Sequence, residues 1–331
     1  MFNNKIIFIT GGTGSWGNEL VSQLLKKFKP KEIRIYSRNE YKQVEMQRNF
    51  DNNPLLKFIL GDVHDKDILG LAMKNSDYVF HLAALKHIPV CEKNCWETVL
   101  TNIYGTQNVI ECAINNNVKK VIFTSSDKAV DHFCLYGVTK ACGEKLIINS
   151  NINYASNTKF ICIRGGNLIG SEGSIMPLFK KQILEKNEIT ITNPNMTRFL
   201  MDTKTATELL IEAAIKSYGG EIFVIRMPST TLENIAQVMI KLFGNKSTKQ
   251  KIIGIRPGEK MYAVLVSKNE SPITKKLDKN YYLILPPYKD KILEEKYKNL
   301  EPIEIEEFNS NNAIRLENEE LVEILKKEKW I

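Results

Sequence analysis

The sequence has no hydrophobic run long enough to cross a membrane. Its most apolar stretch, Tyr78–Leu85, covers about eight residues and contains His81, whereas a spanning helix needs about 20 apolar residues. The first residues, Met1–Lys5, also lack the charged, apolar and small-residue segments of a secretory signal. We therefore expect a cytoplasmic protein that does not contact a membrane.

Cysteine is scarce as well, with six residues in 331, and these fall on predicted helices and strands rather than in a loop-rich disulfide framework. Cys91 and Cys95 lie four residues apart, but no second cysteine pair or histidine pair accompanies them. The spacing therefore predicts reduced thiols and no metal site.

No block of one charge sign is present, although 46 Lys and Arg residues outnumber 38 Asp and Glu residues and give a net charge of +8. Such a surplus can indicate a nucleic-acid partner. The basic residues are scattered, however, and often stand beside acids, as in Glu144-Lys145. We therefore expect no nucleic-acid ligand, and a phosphorylated small molecule is the other candidate for an anionic partner.

Short apolar strands alternate with amphipathic helices over the first half of the chain. Leu20, Leu24 and Phe28, for example, repeat at helical spacing. Strands that are apolar on both faces and are each followed by a helix indicate a parallel sheet covered on both sides. The predicted strands are Ile6–Ile9, Ile33–Tyr36, Phe58–Leu60, Tyr78–Phe80, Val121–Phe123 and Phe160–Arg164. The predicted fold is an α/β, Rossmann-type doubly wound parallel sheet, with ligands at the C-terminal ends of the strands.

The alternation ends after Arg164, where a Gly- and Ser-rich stretch begins, and a further strand is predicted at Glu221–Ile225. We expect a cofactor-binding domain at residues 1–165, completed by a strand near residues 205–228. Residues 166–204 and 229–331 are expected to form a smaller C-terminal substrate-binding lobe, with helices at Met176–Glu185 and Leu232–Phe243.

A glycine-rich turn follows the first strand, with glycines at positions 11, 14 and 17 directly before a helix. Gly11 would allow the tight turn, Gly14 would let the backbone approach a pyrophosphate, and Gly17 would let the helix pack on the strand with its N-terminus facing the anion. A purely structural glycine turn is the alternative. The predicted cofactor-binding residues of the turn are Gly11, Thr13, Gly14, Ser15, Trp16 and Gly17.

The second strand ends at Tyr36-Ser37-Arg38, where a cofactor without a 2′-phosphate needs an acid against its ribose. No acid is present, and Arg38, helped by Ser37 and Lys42, suits a 2′-phosphate, so the sequence favours NADP over NAD. Arg38 could otherwise be a solvated loop cation. After the third strand, Asp62 and Val63 are predicted near the adenine, although Asp62 could equally cap a helix.

Tyr136 and Lys140 lie one helical turn apart after the fifth strand and share one helix face. A cation beside a phenol lowers its pKa, so Tyr136 could take a proton from a sugar hydroxyl while a neighbouring nicotinamide accepts hydride. This spacing also occurs by chance, but its place in a glycine-turn domain favours a catalytic role.

With these motifs, the whole chain resembles the extended short-chain dehydrogenases/reductases. Within them it resembles the inverting UDP-N-acetylglucosamine 4,6-dehydratases of bacterial surface-polysaccharide and nonulosonic acid pathways. The pair Asp127-Lys128 distinguishes this subfamily. Retaining sugar-nucleotide dehydratases carry a pair that resembles Asp-Glu at these two positions, whereas inverting members carry Asp-Lys. The resemblance is carried by Gly11–Gly17, Tyr36–Arg38, Gly61–Val63, Ala83–His87, Thr101–Thr106, Ser126–Ala129, Tyr136–Lys140, Gly166-Asn167, Met196–Phe199 and Arg256–Lys260.

The resemblance implies a hydro-lyase that uses NADP without net oxidation. Tyr136 would deprotonate the C4 hydroxyl as hydride leaves C4. Lys128 would then remove the C5 proton as a neutral amine, and Asp127 would protonate the departing C6 hydroxyl. Hydride would return to C6 and a proton to the opposite face of C5, which inverts C5. The implied catalytic residues are Asp127, Lys128, Tyr136 and Lys140.

Supporting roles are implied for the other shared motifs. Asn167, Arg198 and Arg256 would bind the substrate diphosphate, although each arginine could instead be structural or surface-exposed. His81 and His87 could each be a core or sheet-edge residue. The implied substrate-binding residues are Lys86, Thr124, Ser126, Asn167, Arg198, Arg256 and Glu259, and Ala83, Lys86, Tyr136 and Lys140 would contact the cofactor. Related enzymes associate through helices of the cofactor domain, so a homo-oligomer is expected.

Several positions depart from the family pattern. Asp131-His132 and Cys134 stand where the family tends to carry asparagines, and Tyr262-Ala263 replaces His-Glu. These departures leave the sugar and the nucleotide base open. The alternatives are a 4,6-dehydratase acting on a GDP- or other nucleotide sugar, a nucleotide-sugar C4-epimerase or reductase, and a non-catalytic NADP-sensing protein.

Overall fold

The computed structural model describes residues 1–154, 156–169, 175–255, 259–328 and 330–331. Every strand predicted from the sequence is present, with ends that differ by at most three residues. The strands are, in chain order, β1 (Ile6–Thr10), β2 (Glu32–Ser37), β3 (Leu56–Leu60), β4 (Tyr78–His81), β5 (Lys120–Ser126), β6 (Lys159–Gly165), β7 (Asn167–Ile169), β8 (Glu188–Ile191), β9 (Thr197–Asp202), β10 (Ile222–Ile225), β11 (Ser229–Thr231), β12 (Lys249–Ile252), β13 (Val264–Val266), β14 (Thr274–Lys276), β15 (Tyr281–Ile284) and β16 (Phe308–Asn309).

The helices include both of those predicted in the second half of the chain. They are α1 (Ser15–Lys27), α2 (Glu40–Asn49), α3 (Lys66–Met73), α4 (Ile88–Lys93), α5 (Cys95–Val99), α6 (Gly105–Asn115), α7 (Leu135–Asn153), α8 (Ile175–Lys186), α9 (Thr203–Lys216), α10 (Leu232–Phe243), α11 (Lys291–Tyr297) and α12 (Asn318–Lys327). A π-helical turn covers Leu100–Tyr104, and 3₁₀ turns cover Asp127–Ala129 and Ser271–Ile273. Within the described part of the chain, no helix combines the length and apolarity that crossing a membrane requires.

A nine-stranded sheet with the order β14-β15-β10-β6-β5-β4-β1-β2-β3 forms the centre of the protein. The strands from β10 to β3 in this order pair in parallel, while β14 and β15 add an antiparallel edge. Helices connect the parallel strands, as a doubly wound sheet requires. The predicted Rossmann-type fold is therefore confirmed.

The strands are apolar because both faces of the sheet are covered. Ile7, Phe8 and Ile9 of β1 are completely buried, and so are Val121 and Ile122 of β5. Such continuous apolar runs are typical of parallel strands between two helix layers. Each apolar run ends where its strand leaves the sheet. The turns that follow these strand ends carry the candidate site.

A second hydrophobic cluster lies in the later part of the chain. It is formed by side chains of α8, β8, α10 and α12, among them Phe179, Ile189, Met239 and Leu325. The later part of the chain also forms three smaller sheets, β11-β9-β7, β12-β8 and β13-β16, and Leu265, Val266 and Phe308 of the last one pack in the main core. The division into a cofactor domain and a substrate lobe stays a prediction, and β14 and β15, from the stretch expected in the lobe, join the central sheet.

Candidate active site

A cavity of about 1010 Å³ runs along the C-terminal ends of the parallel strands. This is the edge at which doubly wound sheets bind their ligands. Of the predicted site residues, its wall contains Gly11, Thr13, Gly14, Ser15, Trp16, Gly17, Ser37, Arg38, Lys42, Asp62, Val63, Ala83, Lys86, Thr124, Ser126, Lys128, Tyr136, Lys140, Asn167, Arg198 and Glu259. Asp127 lines a smaller neighbouring cavity of about 70 Å³. Arg256 lies outside the described residues.

The glycine turn after β1 is sterically fixed at two positions. Gly11 has a φ of +66°, and a Cβ there would lie 2.8 Å from backbone atoms of Ala83. A Cβ on Gly17 would lie 2.3 Å from the carbonyl oxygen of Gly12. Gly14 is the N-cap of α1. In the described structure no side chain caps this end of the helix, and its first turn contains no acidic residue. The positive end of the helix is therefore left to attract an anion in the cavity.

Arg38 lies after β2 between two carboxylates. Its Nη1 is 3.3 Å from Asp62 Oδ2 and 3.2 Å from Glu97 Oε1. Asp62 also accepts a hydrogen bond from the backbone N–H of His64 at 3.0 Å. Arg38 thus lies at the cavity wall with two acidic partners, and its side chain is 48% exposed to solvent. Glu97 is a new participant that no motif in the sequence indicates.

His81 is a core residue. Its Nδ1 pairs with Thr10 Oγ1 at 2.7 Å and its Nε2 with Thr106 Oγ1 at 3.0 Å. Complete burial, with a smaller effect of the Lys140 charge, lowers the pKa of His81 to about 3. The hydroxyl of Thr124 donates to the carbonyl oxygen of His81 at 3.3 Å. His81 therefore stays neutral and links β1, β4, β5 and α6, whereas exposed His87 lines the cavity.

Asp127 and Lys128 form an ion pair at the junction of the two cavities. Lys128 Nζ is 2.9 Å from both Asp127 oxygens and donates to Asn167 Oδ1 at 2.7 Å. The hydroxyl of Ser126 donates to Asp127 Oδ1 at 2.8 Å. Asp127 is only 6% exposed, while Lys128 lines both cavities. Asn167, which the resemblance places at the diphosphate, thus holds the lysine in this structure.

Tyr136 and Lys140 project from the first turns of α7. Tyr136 hydrogen-bonds with Ser126. Lys140 Nζ donates to the carbonyl oxygen of Thr124 at 2.5 Å and lies 3.9 Å from the centroid of the Phe123 ring. Ser126 is therefore the shared neighbour of Tyr136 and the Asp127–Lys128 pair.

Burial controls the protonation of both α7 side chains. It raises the pKa of Tyr136 above its ordinary value, Asp127 adds to the rise, and the bond with Ser126 opposes it. Burial also lowers the pKa of Lys140 to about 8. The expected lowering of the Tyr136 pKa is not found in this structure, because burial disfavours the phenolate and Lys140 is not among the groups that act on it.

Arg198 lines both cavities from β9. Its Nη1 donates to the carbonyl oxygen of Thr197 at 2.8 Å. Burial lowers the pKa of Arg198, and the negative charges of Asp127 and Glu259 oppose that effect. The Arg198 guanidinium is half-buried, lines both cavities and is acted on by the charges of Asp127 and Glu259, so it is not a simple surface cation. Its position suits an anionic group of a ligand.

The sequence and the fold were compared with those of known proteins. The chain matches the profile of the family described as polysaccharide biosynthesis protein over residues 7–285. It is 43% identical over 292 residues to UDP-N-acetylglucosamine 4,6-dehydratase (inverting) of Campylobacter jejuni, covering 87% of this chain and 85% of that protein. It is also 42% identical over 333 residues to a Rickettsia bellii protein named UDP-glucose 4-epimerase, covering 98% of this chain and 96% of that one.

Among solved structures, the X-ray structure of Pen from Bacillus thuringiensis superposes with a TM-score of 0.92. The two chains are 39% identical, and the match covers 100% of each. Matches of this extent establish common ancestry, and they agree with the resemblance carried by the motifs. The chain belongs to the polysaccharide biosynthesis protein family, whose members it resembles from the glycine turn after β1 through the central sheet to β15.

Proposed function

We propose that the protein is an NADP-dependent nucleotide-sugar 4,6-dehydratase, a hydro-lyase that inverts C5 and acts on UDP-N-acetylglucosamine. The observation that carries the proposal is the Asp127–Lys128 ion pair, joined through Ser126 to Tyr136. An oxidation at C4 needs only Tyr136 and Lys140. A second acid and base become useful only when a C–H and a C–O bond must also be broken.

The cavity suits a nicotinamide dinucleotide. The glycine turn and the N-terminus of α1 would hold the pyrophosphate, Arg38 with Ser37 and Lys42 the 2′-phosphate, and Asp62 the adenine. When bound, NADP would supply the acceptor for the C4 hydride and afterwards the donor for C6. The assignment of residues 1–165 to the cofactor and of residues 166–204 and 229–331 to the sugar nucleotide is part of this proposal.

Tyr136 would act as the base toward the C4 hydroxyl. Because burial raises its pKa, the phenol does not ionise by itself near neutral pH. The phenol must therefore first lose its proton to solvent, and the ammonium group of Lys140 would stabilise the resulting phenolate, which then accepts the proton of the C4 hydroxyl. This step produces a 4-keto sugar, whose C5 proton is acidified by the adjacent carbonyl group.

The Asp127–Lys128 pair would carry out the elimination. Transfer of one proton across the 2.9 Å contact converts ammonium and carboxylate into a neutral amine and a carboxylic acid. The amine of Lys128 removes the C5 proton, and the acid of Asp127 protonates the departing C6 hydroxyl, which leaves as water. The pair then carries its original charges again. Return of hydride to C6 and addition of a solvent proton to the opposite face of C5 would complete the inversion, and Tyr136 would release the proton of the C4 hydroxyl to solvent.

Arg198 and Glu259 would bind the nucleotide part of the substrate, and Arg256 would join them. Arg198 has the buried cation that a diphosphate requires. The Asn167 amide oxygen, which accepts a hydrogen bond from Lys128, would keep the lysine directed between the two cavities. Lys86, which also lines the cavity, would border the sugar.

A nucleotide-sugar C4-epimerase is the second candidate. It is favoured by the 42% identity with the Rickettsia bellii protein named UDP-glucose 4-epimerase. Such an enzyme would use Tyr136 and Lys140 but would leave the buried Asp127–Lys128 pair without a chemical task. The dehydratase explains more of the site.

Incubation of the purified protein with UDP-N-acetylglucosamine in heavy water separates the candidates. A product that has lost one water and gained deuterium at C5 supports the dehydratase. An unchanged mass with inversion at C4 supports the epimerase. No turnover with UDP-, GDP- or dTDP-sugars, together with tight NADP binding, would instead support an NADP-sensing protein.

A further inference from the structure

Arg164 is among the largest completely buried side chains of the protein, with 1% exposure. Its guanidinium is held by two carboxylates at once. Nε and Nη2 donate to the two oxygens of Glu144 at 2.9 and 2.6 Å, and Nη1 and Nη2 donate to Glu270 at 3.0 and 2.9 Å. Nη1 also donates to the carbonyl oxygen of Leu265 at 2.9 Å. The guanidinium is therefore fully engaged in a buried network that the proposed chemistry does not use.

The network connects the parts of the chain that build the active site. Glu144 lies on α7, at the same helical spacing from Lys140 as Lys140 from Tyr136, so the three side chains share one helix face. Arg164 lies near the end of β6, three residues before Asn167, which holds Lys128. Arg164 thus connects α7, which carries Tyr136, to β6, which leads to Asn167, the hydrogen-bond partner of Lys128.

The later part of the chain is attached at the same point. Leu265 belongs to β13, directly after the cavity-lining segment that ends at Ala263. Glu270 accepts hydrogen bonds from the backbone N–H and the hydroxyl of Ser267 at 3.0 and 2.9 Å. Burial alone would disfavour the Glu270 carboxylate, but the charge of Arg164 outweighs it and lowers the pKa of Glu270. Glu270 therefore approaches Arg164 as an anion.

The charges of this network point to Lys140. Lys140 and Glu144 are an (i, i+4) pair on one face of α7, and opposite charges at this spacing attract each other. Arg164 fixes the Glu144 carboxylate on this face through two hydrogen bonds. Glu144 is the acid that acts on Lys140, and the other titratable groups facing it are Cys162 on β6 and His81 on β4, both of which are neutral near neutral pH.

We propose that Glu144, held by Arg164, is a positioning residue for the Tyr136–Lys140 pair. It fixes the rotation of α7 against β6, and it compensates the charge that Lys140 must carry while Tyr136 exchanges its proton. The inference rests on the proposed function in so far as catalysis is the readout. Glu270 serves the same guanidinium but is not among the groups that act on Lys140, so it offers a matched control.

The test compares the pH dependence of kcat in wild type, Glu144→Gln and Glu270→Gln. Removal of an opposite charge next to an ionised group moves its titration by about one pH unit or more. The alkaline limb of the Glu144→Gln profile should therefore move at least about one unit toward lower pH, while that of Glu270→Gln stays at the wild-type position. Both variants should melt at lower temperature, because each leaves Arg164 with one carboxylate. The proposal would be overturned if the alkaline limb of the kcat profile lay at the same pH in all three proteins, or if it moved equally in both variants.

A second measurement does not depend on turnover. In protein labelled with ¹³C-lysine, the Lys140 side-chain signal, assigned with Lys140→Arg, is followed through the alkaline range in the same three proteins. Lys140 should lose its proton at lower pH in Glu144→Gln than in Glu270→Gln. An inactive wild type that shows this difference would refute the proposed reaction and support the role of Glu144. An active wild type without the difference would do the reverse.

Discussion

Gly137 follows Tyr136 in the first turn of α7 and packs against the segment that carries Lys128. A Cβ on Gly137 would lie 2.2 Å from the Lys128 carbonyl oxygen and 3.0 Å from the Cβ of His132. The first of these contacts involves backbone, so no side-chain rotation relieves it. We therefore predict that Gly137→Ala moves Lys128 away from Tyr136 while the chain still folds.

The size of the effect follows from the geometry. Real Cβ atoms essentially never approach other heavy atoms within 3.0 Å, so the Lys128 backbone must retreat by most of an ångström. A misplacement of about 1 Å at a reacting group costs about 100-fold in rate. Alanine also gains about 1 kcal/mol of helix propensity over glycine, which offsets part of the strain. We expect kcat to fall about 100-fold, with little change in cofactor affinity.

The assay is the rate of dehydration of UDP-N-acetylglucosamine, accompanied by Tm and cofactor affinity. Gly70→Ala is the control, because Gly70 lies on α3 and its Cβ would meet only Cys112 Sγ at an ordinary distance of 3.5 Å. That variant should keep the wild-type rate. A folded Gly137→Ala protein with wild-type kcat would refute the claim that the spacing between Lys128 and Tyr136 controls the reaction.

Three further substitutions test the cofactor site and the core. Arg38→Ala should weaken NADP about tenfold to 100-fold and NAD far less, since it removes a charge-assisted phosphate contact; equal losses in a binding titration would contradict the 2′-phosphate assignment. Gly17→Ala should lower stability by about 1–3 kcal/mol through overpacking against Gly12, and cofactor binding should be lost with it; unchanged denaturant unfolding would show the turn to be adaptable. His81 has a folded pKa of about 3 and an unfolded pKa of about 6.5, so the unfolded state binds a proton that the folded state rejects and stability falls as pH drops through this range. Between neutral pH and about pH 5, the free energy of unfolding measured in urea should fall by about 2 kcal/mol more in the wild type than in His81→Gln. Parallel curves of unfolding free energy against pH would contradict this.

The strand and turn residues of the central sheet could be predicted because local sequence and fold agree there. Buried parallel strands such as β1 must be apolar throughout, and the turn after it needs glycine at Gly11 and Gly17 for steric reasons. Tyr136 and Lys140 could be placed because helical spacing alone puts them on one face. These features depend on neighbours within a few residues along the chain.

What the sequence could not indicate depends on contacts between distant segments. Glu97 meets Arg38 across 59 residues, and Glu270 meets Arg164 across 106 residues. The antiparallel edge strand β14 has the sequence Thr-Lys-Lys, which lacks the apolar pattern of the inner strands because an edge is partly solvated. The raised pKa of Tyr136 also lies beyond local spacing, because the burial that causes it is produced by the tertiary fold.

The central claim is that Lys128 removes the C5 proton after Tyr136 has initiated oxidation at C4. It is tested most directly by Lys128→Ala with bound NADP and UDP-N-acetylglucosamine in heavy water. We predict that reduced nicotinamide accumulates, as absorbance shows, while the sugar gains no deuterium at C5 and loses no water. Deuterium at C5 and dehydration at the wild-type rate in this variant would contradict the account.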